Sequence, residues 1–225
     1  MSNIVINFNT FTIYSKCKVF DKYNNFKSFI NMKKNILVLL DNGHGSTTPG
    51  KKSLVLNNGE QLFEWSYTRE ITQLIEEKLN ELNINCVRIV DTDEDISLSE
   101  RSEIANTYTK KQNCIFISVH CNAAGNGKEW SNANGWEIWS TEPDNNSDKL
   151  AQCFLDVYHD IFPERKLRGH KEKNFTVIYK TNCPSVLTEN FFMDNEEECK
   201  FLLSEEGKKK ITELHVAAIL KYLND

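Results

Sequence analysis

Apolar residues along the chain fall into two patterns, short continuous runs and longer stretches spaced at helical intervals. Residues 35–41 read NILVLLD, a short run of the kind found in strands that are buried on both faces of a sheet. From residue 62 to residue 82 the apolar positions recur mostly three or four residues apart, which predicts an amphipathic helix. The runs at 85–90 and 114–119 predict two further strands.

The same patterns continue toward the C-terminus. Ser97 to Glu100 reads SLSE, a capping box that predicts a helix from there to about Lys110. Residues 136–139 predict a fourth strand after a loop rich in Gly and Asn. The remaining predicted elements are a helix at 148–161, strands at 175–179 and 185–188, and a last helix that is capped by Ser204 and ends near Leu223.

Strands that alternate with helices predict an α/β fold with a mainly parallel sheet and helices on both of its faces. Residues 1–31 stand apart because they are rich in Asn, Lys, Phe and Tyr, with only weak alternation near residues 4–6 and 11–14. They are interpreted as an N-terminal extension of unclear role, either a short strand pair or an arm that contacts a partner. Residues 32–225 are predicted to form a single catalytic domain, with no internal repeat and no linker.

Composition restricts the possible functions only modestly. The 225 residues are 40% hydrophobic and 26% charged, which is typical of a globular protein. A net charge of −5 argues against a general nucleic-acid binder, which usually carries a basic face. No run approaches the roughly 18 apolar residues of a membrane span, so no integral membrane segment is expected.

The cysteines and the N-terminus bear on where the chain is made. The seven cysteines form no C-x-x-C pair and several lie in apolar runs, so they are interpreted as reduced thiols. The first 20 residues lack the features of a secretory signal, which predicts synthesis in the cytoplasm without a signal peptide.

Polar side chains follow several of the predicted strands, at the sheet edge where α/β proteins bind ligands. His44 lies three residues after the first strand, His120 directly follows FISV, and Glu189 directly follows SVLT. Glu64 lies near the start of the first helix. Two His and one Glu are a suitable ligand set for a catalytic zinc ion, with one position left open for water.

Ordinary structural roles for these residues stay open at this point. The gaps between His44, Glu64 and His120 match no compact motif such as H-E-x-x-H, and any one of the five histidines can be a polar surface or core residue. Either glutamate can be an ordinary loop or helix-start carboxylate. The tryptophans at 130, 136 and 139 suit sugar stacking and core packing equally.

Five motifs in order resemble the zinc-dependent N-acetylmuramoyl-L-alanine amidases of the Amidase_3 type. Their order and overall spacing agree with the family from about Lys34 to Asp225. The motifs are LLDNGHGSTTPG, the E-W-S-Y-T that begins at Glu64, VDTDEDISLSERSEIAN, FISVHCNAA and CPSVLTENFFMDN. The sequence departs from the family pattern at four positions, none of them a ligand or the catalytic carboxylate: Asn42, Ser46, Cys121 and Asn190.

The resemblance implies a twisted sheet of about six strands with flanking helices. It also implies that His44, Glu64 and His120 bind zinc and that Glu189 is the catalytic glutamate. The expected reaction is hydrolysis of the amide between N-acetylmuramic acid and L-alanine in peptidoglycan. Arg168 or His170 is a further candidate to steady the substrate.

Two other functions remain as alternatives. One is a zinc carboxypeptidase-like peptidase, which shares the metal and the base. The other is a non-catalytic cell-wall-binding protein on an amidase scaffold, which an altered ligand or a missing Glu189 would favour. The lack of a signal peptide fits a phage-type lysin that is released by a membrane-lesion protein, an enzyme from inside a mobile element, or a chain whose export signal was removed, so the route to the cell wall is left open. The oligomeric state is left open.

Overall fold

The computed structural model describes residues 35–143 and 145–225. Within these ranges six strands form one sheet. The strands are β1 (Leu37–Asn42), β2 (Cys86–Arg88), β3 (Cys114–Asn122), β4 (Trp136–Ser140), β5 (Leu167–Glu172) and β6 (Ser185–Phe192). Their order across the sheet is β2-β1-β3-β6-β4-β5. Strands β2, β1, β3 and β6 run parallel, while β4 pairs antiparallel with β6 and parallel with β5. The predicted mainly parallel sheet is confirmed.

The described helices cover both faces of this sheet. They are α1 (Glu64–Glu81), α2 (Leu98–Thr109), α3 (Asn145–Ile161), α4 (Thr176–Tyr179), α5 (Glu196–Leu203) and α6 (Glu205–Asn224). Helix α6 packs against α1 and α3, and α2 packs against α4. None of the helices in the described ranges is both long and apolar enough to cross a bilayer.

Both predicted serine caps are confirmed. The Ser97 side chain accepts a hydrogen bond from the Glu100 backbone N–H at the start of α2, at 3.2 Å. The Ser204 side chain does the same for Gly207 at the start of α6, at 3.0 Å. Each cap satisfies a backbone donor that the first turn of a helix leaves unpaired.

One predicted strand is wrong. Residues 176–179 form the short helix α4, capped by Phe175, whose carbonyl accepts from the Tyr179 N–H. Val177 and Ile178 are adjacent and both buried, whereas a strand would send them to opposite faces. A short apolar run does not distinguish a buried helical turn from a strand.

Two elements were not predicted. Strand β5 lies at the sheet edge and reads LRGHKE, without an apolar run. Helix α5 begins with three consecutive glutamates at 196–198, which favour a helix N-terminus but carry no apolar period of their own. Of the predictions for the N-terminus, the extension 1–31 and its weak alternation lie outside the described residues.

One face of the sheet changes from apolar to polar along the strands. Leu37 and Leu39 on β1 and Phe116 on β3 belong to a buried cluster with residues of α2 and α4. Because side chains alternate along a strand, the next residues on this face are Asp41 and Ser118. They are buried as well. The apolar face therefore ends in polar groups near the carboxyl ends of β1 and β3.

Candidate metal centre and its cleft

Three side chains from separate elements converge near the carboxyl ends of β1 and β3. His44 lies two residues after β1, Glu64 is the first residue of α1, and His120 lies within β3. His44 Nε2 lies 3.3 Å from Glu64 Oε2, and His120 Nδ1 lies 3.2 Å from Glu64 Oε1. One ligand atom from each residue lies within 4.8 Å of the others. The structure thus brings together the three residues that the sequence singled out as metal ligands.

This donor set fits a zinc ion. Zinc binds His nitrogen and carboxylate oxygen at about 2.0–2.2 Å, so tetrahedral ligand atoms lie roughly 3.3–3.5 Å apart. The two nitrogen–oxygen distances are close to that spacing. Oxygen Oε2 of Glu64 is also buried without a hydrogen bond of good geometry among the described residues. A buried carboxylate oxygen in that condition is costly unless a cation meets it.

A chain of hydrogen bonds fixes the orientation of the His120 ring. Its Nε2 lies 3.0 Å from the Ser118 hydroxyl, which lies 2.5 Å from Asp41 Oδ2. An ionised carboxylate only accepts, so the hydroxyl donates to Asp41 and must accept from the N–H of His120. The other ring nitrogen, Nδ1, therefore points at Glu64 with its lone pair available to a metal once its proton is lost. Such outer partners commonly hold metal-binding histidines in place.

The backbone at His44 is held in an uncommon conformation. Its φ is +65°, in the left-handed region that residues other than Gly seldom adopt. Both Arg69 Nη1 and Arg101 Nη2 donate to the His44 carbonyl, at 3.1 and 3.0 Å. At the preceding Gly43, a Cβ would lie 2.2 Å from Cε1 of the His120 ring. Gly43 is therefore required for the two histidines to approach each other.

Arg101 connects the surroundings of both histidines. Its guanidinium also donates to Asp41 Oδ1 and to the Asn42 carbonyl, both at 2.7 Å, and Arg101 and Asp41 are each 1% exposed. Sequence reasoning missed the role of Arg101 and Ser118. Ser118 was detectable because it lies two residues before His120, on the same strand face. Arg101 stands in the quoted motif SLSER, but nothing in the sequence identified its partners.

The three residues of the candidate metal centre alter one another's pKa values. Burial opposes ionisation of Glu64, but the neighbouring His120 and His44 outweigh it and lower the pKa of the carboxyl. Burial lowers the pKa of His44. Burial is also the largest single influence against a charge on His120, but its hydrogen bond to Glu64 and the charges of Glu64, Glu189 and Asp41 together outweigh burial and raise its pKa. A proton on His120 therefore competes with a metal ion, which makes metal binding weaker in acid.

Glu189 lies beside this centre. The sequence placed it directly after a strand, whereas the structure continues β6 to Phe192, so that Glu189 pairs in register with His120 of β3. Its side chain is half-buried, and Oε2 has no hydrogen-bond partner among the described residues. Burial raises the pKa of Glu189 to about 8. The neighbouring Asn190 donates to the His120 carbonyl at 2.9 Å and so ties β6 to β3 at this point.

The remaining candidate residues for substrate contact lie in different surroundings. Arg168 Nε lies 2.5 Å from Glu137 Oε2, and Glu137 pairs in register with Glu189. His170 lies instead beside Ser140 and Asp148, and pairs in register with Ile138 on the opposite face, so it does not reach the centre. Trp136 is fully buried, which favours its core role over sugar stacking.

A cavity of about 290 Å³ opens beside His44 and His120. Thr48, Ile96 and Leu98 line its outer side, and the Leu98 side chain is half exposed. A substrate group bound here would lie directly against both histidines.

The chain is similar to known cell-wall enzymes over most of its length. A family model described as N-acetylmuramoyl-L-alanine amidase (Amidase_3) matches residues 38–221. An endolysin of Bacillus phage SPP1 is 31% identical over 84% of this chain and 66% of its own length, so the chain spans slightly less than two thirds of it. The N-acetylmuramoyl-L-alanine amidase CwlM of Bacillus licheniformis is 27% identical over 84% of this chain and 69% of its own length.

Solved structures of amidases are similar to this chain as well. An N-acetylmuramoyl-L-alanine amidase from Clostridium difficile 630 has a TM-score of 0.76 and 27% identity, covering 85% of this chain and 98% of that one. The amidase AmiC2 of Nostoc punctiforme has a TM-score of 0.71 and 26% identity, covering 84% and 98%.

Proposed function

The chain belongs to the N-acetylmuramoyl-L-alanine amidase family Amidase_3, and from that premise we propose that it hydrolyses the amide between N-acetylmuramic acid and L-alanine in peptidoglycan. The proposal assigns zinc as the cofactor, with His44, Glu64 and His120 as its ligands. Glu189 is the catalytic proton shuttle. The activity resides in residues 32–225, and residues 1–31 are an extension outside it.

The observation that carries this proposal is that a candidate metal centre lies next to a carboxylate with an unpaired oxygen. Three convergent ligand atoms suit a metal ion, and one strand away Glu189 has an oxygen without a hydrogen bond. A purely structural carboxylate at this depth would be expected to have a partner for each oxygen. The free oxygen of Glu189 instead suits a group whose partner is a reacting molecule.

Amide hydrolysis needs an activated water, a polarised carbonyl and a proton for the departing amine. A zinc ion bound here would supply Lewis acidity for the first two needs. Glu189 takes the proton of the attacking water through its free oxygen and returns it to the leaving nitrogen. The raised pKa of Glu189 supports this role, because a group that titrates near neutral pH can both accept and release a proton.

The surrounding residues hold this arrangement rather than react. Arg101 fixes the His44 carbonyl and Asp41, and Asp41 fixes Ser118 and through it the His120 ring. Rigid placement of this kind reduces the reorganisation that the reaction would otherwise require.

The cell wall is the proposed place of action. The SPP1 relative is named an endolysin and CwlM an N-acetylmuramoyl-L-alanine amidase, and both names support a peptidoglycan substrate for this chain.

Metal content and wall lysis, measured together, test the ligand assignment. Purified protein should hold one zinc per chain, and His44→Ala or His120→Ala should lose zinc and lytic activity together. His159→Ala is the matched control, because His159 lies exposed on α3 and contacts only Tyr158 among the ring pairs described. Full zinc content in either ligand variant would refute the assignment.

A further inference from the structure

A buried carboxylate one strand beyond Glu189 holds two cations. Arg168 Nε and Lys171 Nζ lie 2.5 and 2.6 Å from Glu137 Oε2. The amide of Asn122 and the indole of Trp139 donate to Oε1 at 2.9 and 3.2 Å. Glu137 is thus saturated with donors. Two positive charges against one negative charge leave the group with a net charge of +1.

The two cations are fixed in position but not covered. The Arg168 guanidinium lies 5.0 Å from the ring centre of Phe192, and Lys171 Nζ lies 5.0 Å from that of Trp139. Their side chains are 29% and 33% exposed, whereas Glu137 is 4% exposed. Within the described residues, no carboxylate other than Glu137 forms an ion pair with either cation. Arg168 Nη1 also donates to the Asn134 carbonyl, at 3.3 Å. Both side chains carry further N–H donors, because a guanidinium has five and an ammonium three.

Sheet register places this group next to the reaction centre. His120 pairs with Glu189, Glu189 pairs with Glu137, and Glu137 pairs with Gly169. Paired residues on neighbouring strands point to the same face, and strands lie about 4.8 Å apart. The cations that contact Glu137 therefore lie on the far side of Glu189 from the metal ligands. The distance from these cations to a bond cut beside Glu189 is roughly one or two residues of an extended peptide, at about 3.5 Å for each residue.

The charge of the substrate on each side of the scissile bond indicates what these cations bind. The sugar side of a muramyl amide is neutral near the bond, whereas the peptide side carries carboxylates. An ion pair that served only to neutralise Glu137 would need one cation. A second cation, held open to solvent in a chain of net charge −5, is suited to a second carboxylate that arrives with the substrate.

We propose that Arg168 and Lys171, held in place by Glu137, form a subsite for a carboxylate of the stem peptide. The ligand is the free α-carboxylate of the acidic residue that follows alanine. The subsite rests on the proposed function for the identity of the substrate, and it makes the charge of that second residue a determinant of specificity. Glu137 is a positioning residue in this scheme, since it touches the cations and not the ligand.

Product binding tests the subsite without depending on cleavage. The probes are L-alanyl-D-glutamate with its γ-carboxyl blocked as a methylamide, which leaves only the α-carboxylate free, and the same compound with that α-carboxyl amidated. Their dissociation constants are measured by NMR titration of the zinc-loaded chain. The unaltered protein should bind the free acid roughly tenfold more tightly, a difference of about 1.4 kcal/mol.

Two variants make the comparison specific. Lys171→Gln neutralises the cluster and leaves Arg168, Asn122 and Trp139 on Glu137, so its tenfold preference should fall to near unity. Lys173→Gln removes the same charge from an exposed position just beyond β5 that does not contact Glu137, and should retain the preference. Equal affinity for the two dipeptides in the unaltered protein, including no binding of either, would overturn the subsite. So would a preference that survives in Lys171→Gln. A failure of the proposed amidase reaction would show separately, as intact muramyl–alanine bonds in digested wall.

Discussion

Replacement of Glu189 by glutamine separates chemistry from metal binding. Glutamine keeps the size and shape of the side chain but cannot take up or release a proton at neutral pH. Glu189 lies one strand from His120, and is not among the three convergent residues of the candidate metal centre. Glu189→Gln should therefore fold normally and hold one zinc per chain, yet lose most of its turnover.

The expected loss of turnover follows from the proton-transfer role of Glu189. Positioned general acid–base groups typically contribute about 10²–10⁴-fold to a rate, and each factor of ten corresponds to about 1.4 kcal/mol of barrier. Oxygen Oε2 of Glu189 has no partner in the described structure, so no other described side chain stands ready to relay its proton. A decrease in wall-lysis rate of at least about a hundredfold is expected.

The same substitution has an effect on stability in the metal-free protein. Burial raises the pKa of Glu189 to about 8 from about 4.5, so the native state favours the protonated carboxyl. The protonated Glu189 carboxyl therefore makes its full contribution to the stability of the fold below about pH 4.5, and this contribution is lost as the pH rises through about 8. The neutral glutamine avoids that loss. Metal-free Glu189→Gln should thus gain stability relative to the unaltered protein between pH 5 and pH 8, by an amount on the order of a few kcal/mol.

The assay compares zinc content, lysis rate and urea unfolding for Glu189→Gln and Glu64→Gln side by side. Glu64→Gln removes a ligand charge, so it should lose zinc first and activity as a consequence. A Glu189→Gln protein that lyses wall at nearly the unaltered rate would remove Glu189 from the mechanism. One that loses its zinc would make Glu189 a ligand instead of a proton shuttle.

Other predictions concern the residues around the metal and the metal itself. Ser118→Ala removes the hydroxyl that orients His120, and should weaken zinc binding about 10–100-fold in competition with a chelator. The control Ser102→Ala removes a buried hydroxyl beside α4 and should leave zinc binding unchanged. Unchanged zinc affinity in Ser118→Ala would contradict the orienting role. Zinc at about 100 times its dissociation constant should stabilise the fold by about 2.7 kcal/mol, seen as a higher unfolding temperature, and His44→Ala should show no such shift. Zinc affinity should fall as pH is lowered, since a proton on His120 competes with the metal, and a pH-independent affinity between pH 5 and 8 would refute that competition.

The central sheet was predictable because its strands are buried on both faces. Strand β1 begins with the unbroken apolar run LVLL, and β3 begins CIFISV with one serine in an otherwise apolar run, a pattern typical of strands in a covered parallel sheet. The edge strand β5 carries no such run, because an edge position leaves it half exposed. The predicted number of strands, about six, agrees with the structure even though the 175–179 prediction is wrong and β5 was missed.

The candidate site was predictable only in part. His44, Glu64 and His120 were identified by their place at strand and helix ends and by family resemblance. The contacts that hold them were not, because Arg101 lies 60 residues from Asp41 in the chain and Ser118 lies 77 residues from it. Pairings at that separation depend on sheet order and register, which local patterns do not determine. The cation pair at Glu137 was missed for the same reason, since Lys171 lies 34 residues away on an unpredicted strand.

Chemical analysis of digested wall tests the central claim most directly. Purified peptidoglycan is treated with the zinc-loaded chain, with the chain after chelation, and with the chelated chain after zinc is restored. New N-terminal alanine and new reducing sugar ends are then counted in each digest. We predict N-terminal alanine in proportion to the wall released, no new reducing ends, no release after chelation and full recovery with zinc. New reducing ends would indicate a glycosidase, new ends inside the stem peptide would indicate a peptidase, and undiminished release after complete removal of the metal would contradict the zinc mechanism.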